Sequence, residues 1–567
     1  MRRFIASTPT QTTIPEGAKR VCTACYVQFN GAHRSKKLVI IIASLPVSYA
    51  EKRRLRLVSS LWRDAVRTLD LVWTSIPHRL PHEQPSRLER QLLRCHACEG
   101  HNRWMIQALA AGIQPAPLRR SCAQMQCPPT CRARLNAADL VELYHILPPH
   151  GELDARLQAH WENLDRDELT SLLPWFVKCS LTRPALTRVV QPYLNESLHM
   201  FYAWLFELRL YWGTEALSKT LFDMLLEEAP TSYRENWLQT YRLVEAVEQI
   251  LDTRDLERRS DIVATLFGSV GATSVRAPWD PSVQVSGIYV DGITVLLSAS
   301  RPTIVPFATA TGVVRILYKR EDVRRDQVTM VVARWINSMT ELNIPTYSVL
   351  PLSTTHGWIV MLAETTTLYD IRRVHGTTLQ NFLMDRAPQA TVSEFRETFA
   401  ATCSAACVLC YVMGVGDRHL SNMLVTQDGR IVHIDFTYIL GDDPKLYVRT
   451  EMRVTADMID TLGGKDSPTF HLFRGYCLRA YRILRTAAPF WYTLLRHVGD
   501  HERVRHHVLS RLVPGHGDAE ADDLIVEVVQ RSSSSSWGQT ITDTSHAWST
   551  WARSMFPEVP TIFNMDM

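Results

Sequence analysis

Between residues 135 and 255 the apolar positions recur every three or four residues, which is the spacing of one face of an α-helix. Pro174 lies where one short helix is expected to end and another to begin. The pattern predicts an all-α domain of paired helices over residues 131–255. Its apolar positions form two groups: Trp161, Leu164, Leu169, Leu172, Leu173, Phe176 and Val177, then Leu198, Phe201, Tyr202, Leu205 and Leu208.

From residue 286 onward, short apolar runs separated by turn residues predict β-strands. The Asp291-Gly292 pair between the first two runs is a hairpin-turn signal. A later run ends at Lys319, and a helix is expected to follow from Val323 through Ile336. The predicted strands are residues 287–290, 293–297, 313–319, 344–350 and 357–362.

A second hairpin is predicted after residue 422. Residues 423–425 and 430–434 form two apolar runs around the turn Gln427-Asp428-Gly429. Pairing of these runs would bring Asn422 and Asp435 together at one end of the hairpin.

The residues at and before this hairpin suit phosphoryl transfer, which requires positioning and charge neutralisation rather than covalent catalysis. Asp417 and Asn422 have the spacing of a kinase catalytic loop. Asn422 and Asp435 offer the oxygen ligands that Mg²⁺ or Mn²⁺ prefers. His419, with an ordinary pKa near 6.5, is a competent base at neutral pH, and Asp417 is the alternative proton acceptor. The alternative to a catalytic site is a hairpin whose polar residues cap turns and form surface pairs.

The motif GVGDRHLSN, residues 414–422, followed by HIDF, residues 433–436, resembles the catalytic core of the phosphatidylinositol 3- and 4-kinase family. Its D-R-H order reverses the H-R-D of protein kinases. Residues 438–445 and 458–464 are most similar to class III phosphatidylinositol 3-kinases. The resemblance implies an α+β fold: a bilobal kinase-like catalytic domain over residues 256–567, with an antiparallel-sheet N-lobe and a mainly helical C-lobe, preceded by the all-α helical accessory domain.

The family pattern also implies roles for individual residues. Asp417, Arg418 and His419 are the expected catalytic residues, while Asn422 and Asp435 are the expected metal ligands. Lys319 is expected to reach the ATP phosphates with Asp326 as its carboxylate partner, since Asp326 lies in a segment resembling the family motif L-R-Q-D-Q. The other expected ATP-binding residues are Ser298 and Arg301 in a phosphate loop, Tyr347 at the inner end of the pocket, and Ala363 and Glu364 in the hinge.

One position departs from the family pattern. Asp435-Phe436 is followed by Thr437, whereas the family has glycine there, giving D-F-G. Threonine is β-branched and disfavours the positive-φ conformations open to glycine. If the turn needs a positive φ at residue 437, the threonine strains the turn and lowers the activity of the enzyme. If the turn does not need it, the substitution is mild.

Substrate choice is expected in the activation segment from Asp442 to Met458. Its cations, Lys445, Arg449 and Arg453, are spaced apart and diluted by acidic residues. This favours unphosphorylated phosphatidylinositol over inositides with more phosphate groups, although Leu446-Tyr447-Val448 replaces the proline cluster expected in class III.

The termini carry further expectations. Seven of the 12 cysteines lie in residues 1–131, and two C-x-x-C pairs near His101 could hold zinc or be free thiols. Residues 1–130 are a region of unassigned fold, for which a reduced C2-like domain is another alternative. A Trp-rich amphipathic helix after Ile541 would contact membranes through Trp548, Trp551 and Phe556, or pack on the C-lobe.

Composition bounds the remaining possibilities. The 567 residues suit two to four domains, and the net charge of +4 does not favour nucleic-acid binding. With neither a signal peptide nor a membrane-spanning apolar run apparent, a cytoplasmic protein peripheral on endosomal or other intracellular membranes is expected. Regulatory scaffold subunits of the class III type are the partners that the resemblance implies.

Together these features predict a kinase that transfers the γ-phosphate of ATP to the 3-hydroxyl of phosphatidylinositol. The alternatives are a phosphatidylinositol 4-kinase, a related protein kinase, and a non-catalytic pseudokinase scaffold.

Overall fold

The computed structural model describes residues 137–146, 166–269, 274–298, 300–386, 391–444, 451–513 and 516–534, with Glu89, Trp161 and Leu164. The chain divides into two compact units, Met1–Asp165 and Arg166–Met567. In the first unit, helix α1 spans Ala137–Ile146, and the indole nitrogen of Trp161 donates a hydrogen bond to the hydroxyl of Tyr144 at 3.1 Å.

The second unit begins with the predicted helices. Pro174 lies in the first turn of α3, where a proline costs no hydrogen bond, as the sequence predicted. The ring of Trp237 on α7 lies 4.7 Å from that of Phe206 on α5 and 5.8 Å from that of Phe222 on α6, so large buried aromatic rings join three helices. The helices α2 to α8 span Arg166–Ser171, Leu173–Ser180, Ala185–Glu196, Leu198–Arg209, Ala216–Glu228, Thr231–Asp252 and Leu256–Ser269.

An antiparallel sheet of seven strands follows, in agreement with the predicted N-lobe. The strand order is β1-β2-β4-β5-β7-β6, and β3 also pairs with β4. The rings of Trp279, Phe307 and Trp358 pack together on the sheet, with centroids 5.2 to 6.1 Å apart. The strands β1 to β7 span Val275–Arg276, Gln284–Ile288, Thr294–Val295, Thr303–Thr309, Gly312–Lys319, Val349–Pro351 and Gly357–Val360.

The predicted Asp291-Gly292 hairpin is wrong. Val290–Gly292 form a single turn of 3-10 helix, and the strands on either side, β2 and β3, both pair with β4 instead of with each other. Strand β2 pairs with residues 307–309 of β4 and β3 with residues 303–304, so the two strands follow one another along β4.

The strand predicted over residues 344–350 is also shorter than expected. The side chain of Asn337 accepts a hydrogen bond from the Ile344 amide and donates one to its carbonyl, both at 2.8 Å. Because these groups are satisfied by the end of helix α9, Arg324–Met339, pairing begins only at Val349. Helix α9 itself confirms the helix predicted after Lys319.

A long buried helix leads to the second hairpin. Helix α12, Val392–Met413, begins with a capping box between Thr391 and Glu394 and ends at Gly414, whose φ is 60°. Strands β8, Thr365–Thr367, β9, Met423–Thr426, and β10, Ile431–His433, form a three-stranded sheet in the order β10-β9-β8. The predicted hairpin is therefore confirmed.

The remaining helices build the mainly helical lobe and confirm the expected bilobal architecture. No helix in the described ranges is both long enough and apolar enough to span a membrane. Helices α10 and α11 span Leu368–Arg373 and Leu379–Arg386, and α13 to α17 span Ala456–Thr461, Pro468–Thr486, Ala488–Leu495, His501–Leu512 and Asp518–Ser534.

Candidate active site

The hairpin of β9 and β10 brings Asn422 and Asp435 to one end of the strands. Met423 pairs with His433, and the amide of Ile434 donates to the carbonyl of Asn422 at 3.0 Å. Asn422 directs its amide nitrogen to the carbonyl of Asp417 at 3.0 Å, which leaves its Oδ1 as the atom suited to a cation.

Arg418 ties the catalytic loop to the segment after β10. Its guanidinium donates to the carbonyls of Gly416 at 2.9 Å and Ile434 at 2.7 Å, and also to that of Asp435. The guanidinium also lies 5.5 Å from the ring of Phe436, so backbone carbonyls and an aromatic ring hold this side chain.

His419 and Asp417, the candidate proton acceptors, lie side by side. The Nε2 atom of His419 is 3.7 Å from Oδ2 of Asp417. The His419 side chain is 7% exposed and that of Asp417 is 24% exposed. The two candidate proton acceptors therefore lie next to each other on the catalytic loop.

Close backbone packing fixes the position of this loop. Gly416 has no room for a side chain, because a Cβ atom would lie 2.9 Å from Cα of Asp443 and closer still to the carbonyl oxygen of Asp442. The amide of Asp417 donates to Oδ2 of Asp443 at 3.3 Å. The catalytic loop and the start of the activation segment therefore hold each other in place.

Lys319, at the end of β5, faces the metal-ligand carboxylate directly. Its Nζ lies 3.1 Å from Oδ1 of Asp435 and also pairs with Glu321. Burial lowers the pKa of Lys319, but the carboxylates of Asp326, Asp435 and Glu321 outweigh it and raise the pKa above its usual value. The expected partner Asp326 thus acts as a nearby charge, while the direct ion pairs go to Asp435 and Glu321.

Asp326 is buried at 1% exposure on α9. The hydroxyl of Tyr347 donates to its Oδ1 at 3.2 Å, and the amide of Phe436 lies 3.4 Å from the same oxygen. Burial raises the pKa of Asp326 to about 6 despite the opposing charge of Lys319. Tyr347 is thus the hydrogen-bond donor to Asp326, while its place at the inner end of the nucleotide pocket stays a prediction.

Asp435 is poised as an anionic ligand. Although burial raises its pKa, Lys319, the hydroxyl of Thr437 and Arg418 lower it to about 2. Asp435 itself has φ of 60°, a left-handed conformation that aspartate tolerates better than most residues.

The strain anticipated at Thr437 is absent. Among the described residues the positive φ values in this turn belong to Asp435 and, further on, Leu440 and Gly441, and not to Thr437. The position that the family gives to glycine therefore needs no glycine conformation in this chain, and the mild reading of the substitution holds.

The predicted phosphate loop contains an unsatisfied donor. Within the described ranges the hydroxyl of Ser298 is buried and has no hydrogen-bond partner, and the amide of Arg301 closes the turn onto the Ser298 carbonyl at 3.2 Å. Arg301 has φ of 46° and an exposed side chain. A buried hydroxyl and an exposed guanidinium fit the polar phosphate groups of ATP.

Ala363 and Glu364 lie in the linker between β7 of the first sheet and β8 of the second. Both are exposed, and Glu364 has φ of 52°. This is the link between the two lobes, as the hinge prediction requires.

Arg453 and His433 are both buried in the C-lobe. Arg453 is 1% exposed and lies close enough to His433 for its charge to act on that imidazole, so its predicted role as a headgroup-facing cation is wrong. Burial, with the charges of Arg418 and Arg453, lowers the pKa of His433 to about 3, and its Nδ1 lies 3.1 Å from Sγ of Cys410. His433 is thus a neutral structural residue.

Other predicted residues lie outside the described part of the chain: Lys445, Arg449, Trp548, Trp551, Phe556, His101 and the seven amino-terminal cysteines. The other five cysteines are buried free thiols: Cys179, Cys403, Cys407, Cys410 and Cys477. No group of three or more acidic, His or Cys side chains suited to a metal occurs among the described residues. Asn422 and Asp435 fit Mg²⁺, which needs few protein ligands beside substrate phosphates.

Sequence reasoning missed Glu321 and Arg325. Glu321 pairs with Lys319, and Arg325 donates to the carbonyl of Thr437. The one available signal was that both residues flank the strand-terminal lysine and the motif containing Asp326.

Comparison with known proteins agrees with this geometry. The sequence profile of the family described as phosphatidylinositol 3- and 4-kinase matches residues 313–502, which contain Lys319, Asp326, the catalytic loop and Asp435. Residues 313–502 are therefore similar to the phosphatidylinositol 3- and 4-kinase family, and this segment contains both expected metal ligands, Asn422 and Asp435.

Curated relatives narrow the likeness. The chain is 31% identical over 226 residues to phosphatidylinositol 3-kinase pik3 of Schizosaccharomyces pombe, covering 37% of this chain and 28% of that protein. It is 30% identical over 261 residues to phosphatidylinositol 3-kinase VPS34 of Candida glabrata, covering 43% and 29%. With VPS34 of Saccharomyces cerevisiae it shares 31% identity over 226 residues, covering 38% and 26%. The matches therefore span less than a third of these relatives' length.

Proposed function

We propose that the chain is a lipid kinase that transfers the γ-phosphoryl group of ATP to the 3-hydroxyl of phosphatidylinositol at a membrane surface. The observation that carries the proposal is the convergence of Asn422, Asp435 and Lys319 at one cleft, beside a loop with the D-R-H order. Similarity to proteins named phosphatidylinositol 3-kinase supports the lipid substrate.

The chain's own residues account for the proton and charge changes of this reaction. The inositol oxygen bonds to the γ-phosphorus, the bond from that phosphorus to the ADP oxygen breaks, and the hydroxyl proton passes to His419. Asp417, 3.7 Å from His419 Nε2, stabilises the imidazolium that forms. Lys319, Ser298 and Arg301 offer donors to the phosphates, and ADP leaves with the charge it acquired.

Asn422 and Asp435 would hold Mg²⁺ or Mn²⁺, which neutralises phosphate charge when bound. The pKa of Asp435 near 2 means that its carboxylate is ionised throughout the neutral range. The role of Arg418 is to hold the loop and the ligand turn together through three carbonyl groups.

The lipid is proposed to be the unphosphorylated inositide. Burial of Arg453 removes one of the three cations that could have met additional phosphate groups. A site with fewer cations discriminates against multiply phosphorylated headgroups, because their charge would be desolvated without compensation. Phosphorylation of the lipid is proposed to occur on endosomal or other intracellular membranes, to which scaffold subunits of the class III type would recruit the enzyme.

The test is an assay with labelled ATP, phosphatidylinositol vesicles and a protein substrate in parallel. Labelled lipid that vanishes in Asp435→Asn supports a lipid kinase. Labelled protein with unmodified lipid would indicate a protein kinase, and labelling of neither would indicate a binding scaffold; both outcomes contradict the proposal.

A further inference from the structure

Thr437, the departure from the family pattern, contacts a second departure. The segment with Asp326 has Arg325 where the family motif L-R-Q-D-Q has glutamine. The Nη1 atom of Arg325 donates to the carbonyl oxygen of Thr437. Two residues 112 positions apart in sequence are thus in contact two residues after Asp435, the expected metal ligand.

The hydroxyl of Thr437 lies between two carboxylates. It is 2.7 Å from Oδ1 of Asp435 and 3.1 Å from Oε1 of Glu321. Lys319 pairs with the same two carboxylates. Lys319, Glu321, Thr437 and Asp435 therefore form a closed polar ring, called here the cleft ring, which links the end of β5 to the segment after β10.

The cleft ring fixes one particular oxygen of Asp435. Lys319 Nζ at 3.1 Å, Thr437 Oγ1 at 2.7 Å and the Thr437 amide at 3.4 Å all reach Oδ1. Within the described part of the chain no hydrogen bond reaches Oδ2. The carboxylate is thus oriented with one oxygen held by the protein and the other available to a ligand.

A glycine at residue 437 would supply only the amide contact. The Asp435 side chain is 41% exposed, so its orientation depends on the hydrogen bonds that it accepts. A hydroxyl two residues away that donates to Oδ1 restricts that rotation before any cation arrives, and such preorganisation strengthens binding.

We propose that Thr437 is a positioning residue that orients the Asp435 carboxylate for the divalent cation bound with nucleotide, with Arg325 holding the Thr437 backbone in place. The inference deepens the proposed function at the same site and rests on it for the identity of the cation. The hydroxyl does the work that a glycine in this turn cannot do.

The test measures nucleotide binding directly. Calorimetry gives the dissociation constant of ADP for the full chain with Mg²⁺ and with EDTA, for wild type, Thr437→Val and Thr437→Ser. Removal of one hydrogen bond to a charged group weakens Mg²⁺-dependent ADP binding by about tenfold in Thr437→Val. Thr437→Ser, which keeps the hydroxyl, stays within about threefold of wild type, and binding in EDTA is equal in all three.

Three outcomes would decide against the inference or its basis. Equal Mg²⁺-dependent affinities in Thr437→Val and wild type would overturn the positioning role. An equal loss of ADP affinity with Mg²⁺ and with EDTA in Thr437→Val would mean that Thr437 has only a structural role. As a control, an unchanged melting temperature of the variants excludes misfolding. If wild type itself bound ADP without any effect of Mg²⁺, the proposed function would fail before the role of Thr437 came into question.

Discussion

At the residue scale, the geometry around Asp435 concentrates positive charge on a single carboxylate. Lys319 contacts it directly, Arg418 binds its backbone carbonyl, and Thr437 donates a hydroxyl. These contacts stabilise the ionised form, so the ligand is charged before a cation binds. In the same cleft, burial keeps Asp326 near a pKa of about 6. Two aspartates of one cleft therefore differ in role, Asp435 as the expected ligand and Asp326 as a buried counter-charge to Lys319.

Replacement of Asp435 by asparagine should abolish turnover without unfolding the protein. The amide retains the shape but loses the charge that holds the cation, and loss of such a stabilising group costs at least about a hundredfold in kcat. Steady-state rates and a melting curve measure the two effects. Asp460→Asn, at an exposed position on α13, is the control and should leave both unchanged. Activity retained by Asp435→Asn would remove Asp435 from the metal site.

Individual site residues could be predicted only where they share a short motif. The spacing of Asp417, Asn422 and Asp435 is visible in the sequence because one hairpin contains them. The contact of Thr437 with Glu321 joins residues 116 positions apart, and no local pattern encodes it. The sequence indicates the conformational cost of a β-branched residue at position 437. It does not show that the Thr437 hydroxyl contacts Asp435 and Glu321.

At the element scale, the catalytic loop and the activation segment fit together backbone to backbone. The amide of Gly416 donates to the carbonyl of Tyr438 at 2.9 Å, and Gly441 donates to Gly414 at 2.9 Å. Arg503 on α16 also binds Asp442 at 2.5 Å and the carbonyl of Ile439 at 3.1 Å. The start of the activation segment is therefore anchored on both sides.

Gly416→Ala should destabilise the protein and lower its activity. The new methyl group would overlap the backbone at Asp442, and overpacking of this kind costs about 1–3 kcal/mol. Denaturant unfolding measures the loss. The matched control is Gly475→Ala in α14, where a Cβ meets nothing within 4 Å and helix propensity predicts a gain of about 0.5–1 kcal/mol. Equal effects at the two glycines would contradict the packing account.

Strand prediction failed where the local sequence pattern does not indicate the strand pairing that the structure shows. Strand β4 was missed because Pro306 interrupts its apolar run, yet the residue sits opposite Arg315 and its carbonyl accepts a hydrogen bond from the Tyr289 amide at 3.0 Å. By contrast β5, β9, β10 and helix α9 were predicted well, because each combines a clear apolar period with a turn or charged residue at its end. Pairing between strands that are distant in sequence cannot be inferred from an apolar period or from a residue at the end of an element.

At the scale of the whole molecule, the accessory helices and the kinase lobes meet at a buried polar cluster. Glu207 on α5 is 3% exposed, and it faces Arg324 and Gln327 on α9. His497, which follows α15, has Nε2 at 3.6 Å from Glu207 Oε1. Since α9 also holds Asp326, the accessory helices directly support a helix of the active site.

Burial makes this contact pH-dependent. It raises the pKa of Glu207 from 4.5 to about 7, although Arg324, Gln327, Lys178 and Tyr211 act in the opposite direction. A raised folded pKa means that the stabilising contribution is complete below the unfolded value of 4.5 and is lost as pH rises through about 7.

Glu207→Gln should therefore become more stable relative to wild type as pH rises from about 5 to about 8. The difference in free energy of unfolding grows by at most about 1.4 kcal/mol per pH unit, the slope for one proton. Denaturant titrations across this range measure it, with Glu215→Gln at an exposed position as the control that shows no trend. A constant difference between Glu207→Gln and wild type would mean that Glu207 does not titrate on folding in this range.

The inositol oxygen that receives the phosphate can be identified in one measurement. The protein is incubated with Mg²⁺, labelled ATP and phosphatidylinositol vesicles, and the deacylated product is separated by chromatography against 3- and 4-phosphate standards. We expect label on the 3-position alone, and no label with Asp435→Asn. Label on the 4-position, or no lipid product while Mg²⁺-dependent ADP binding is intact, would contradict it.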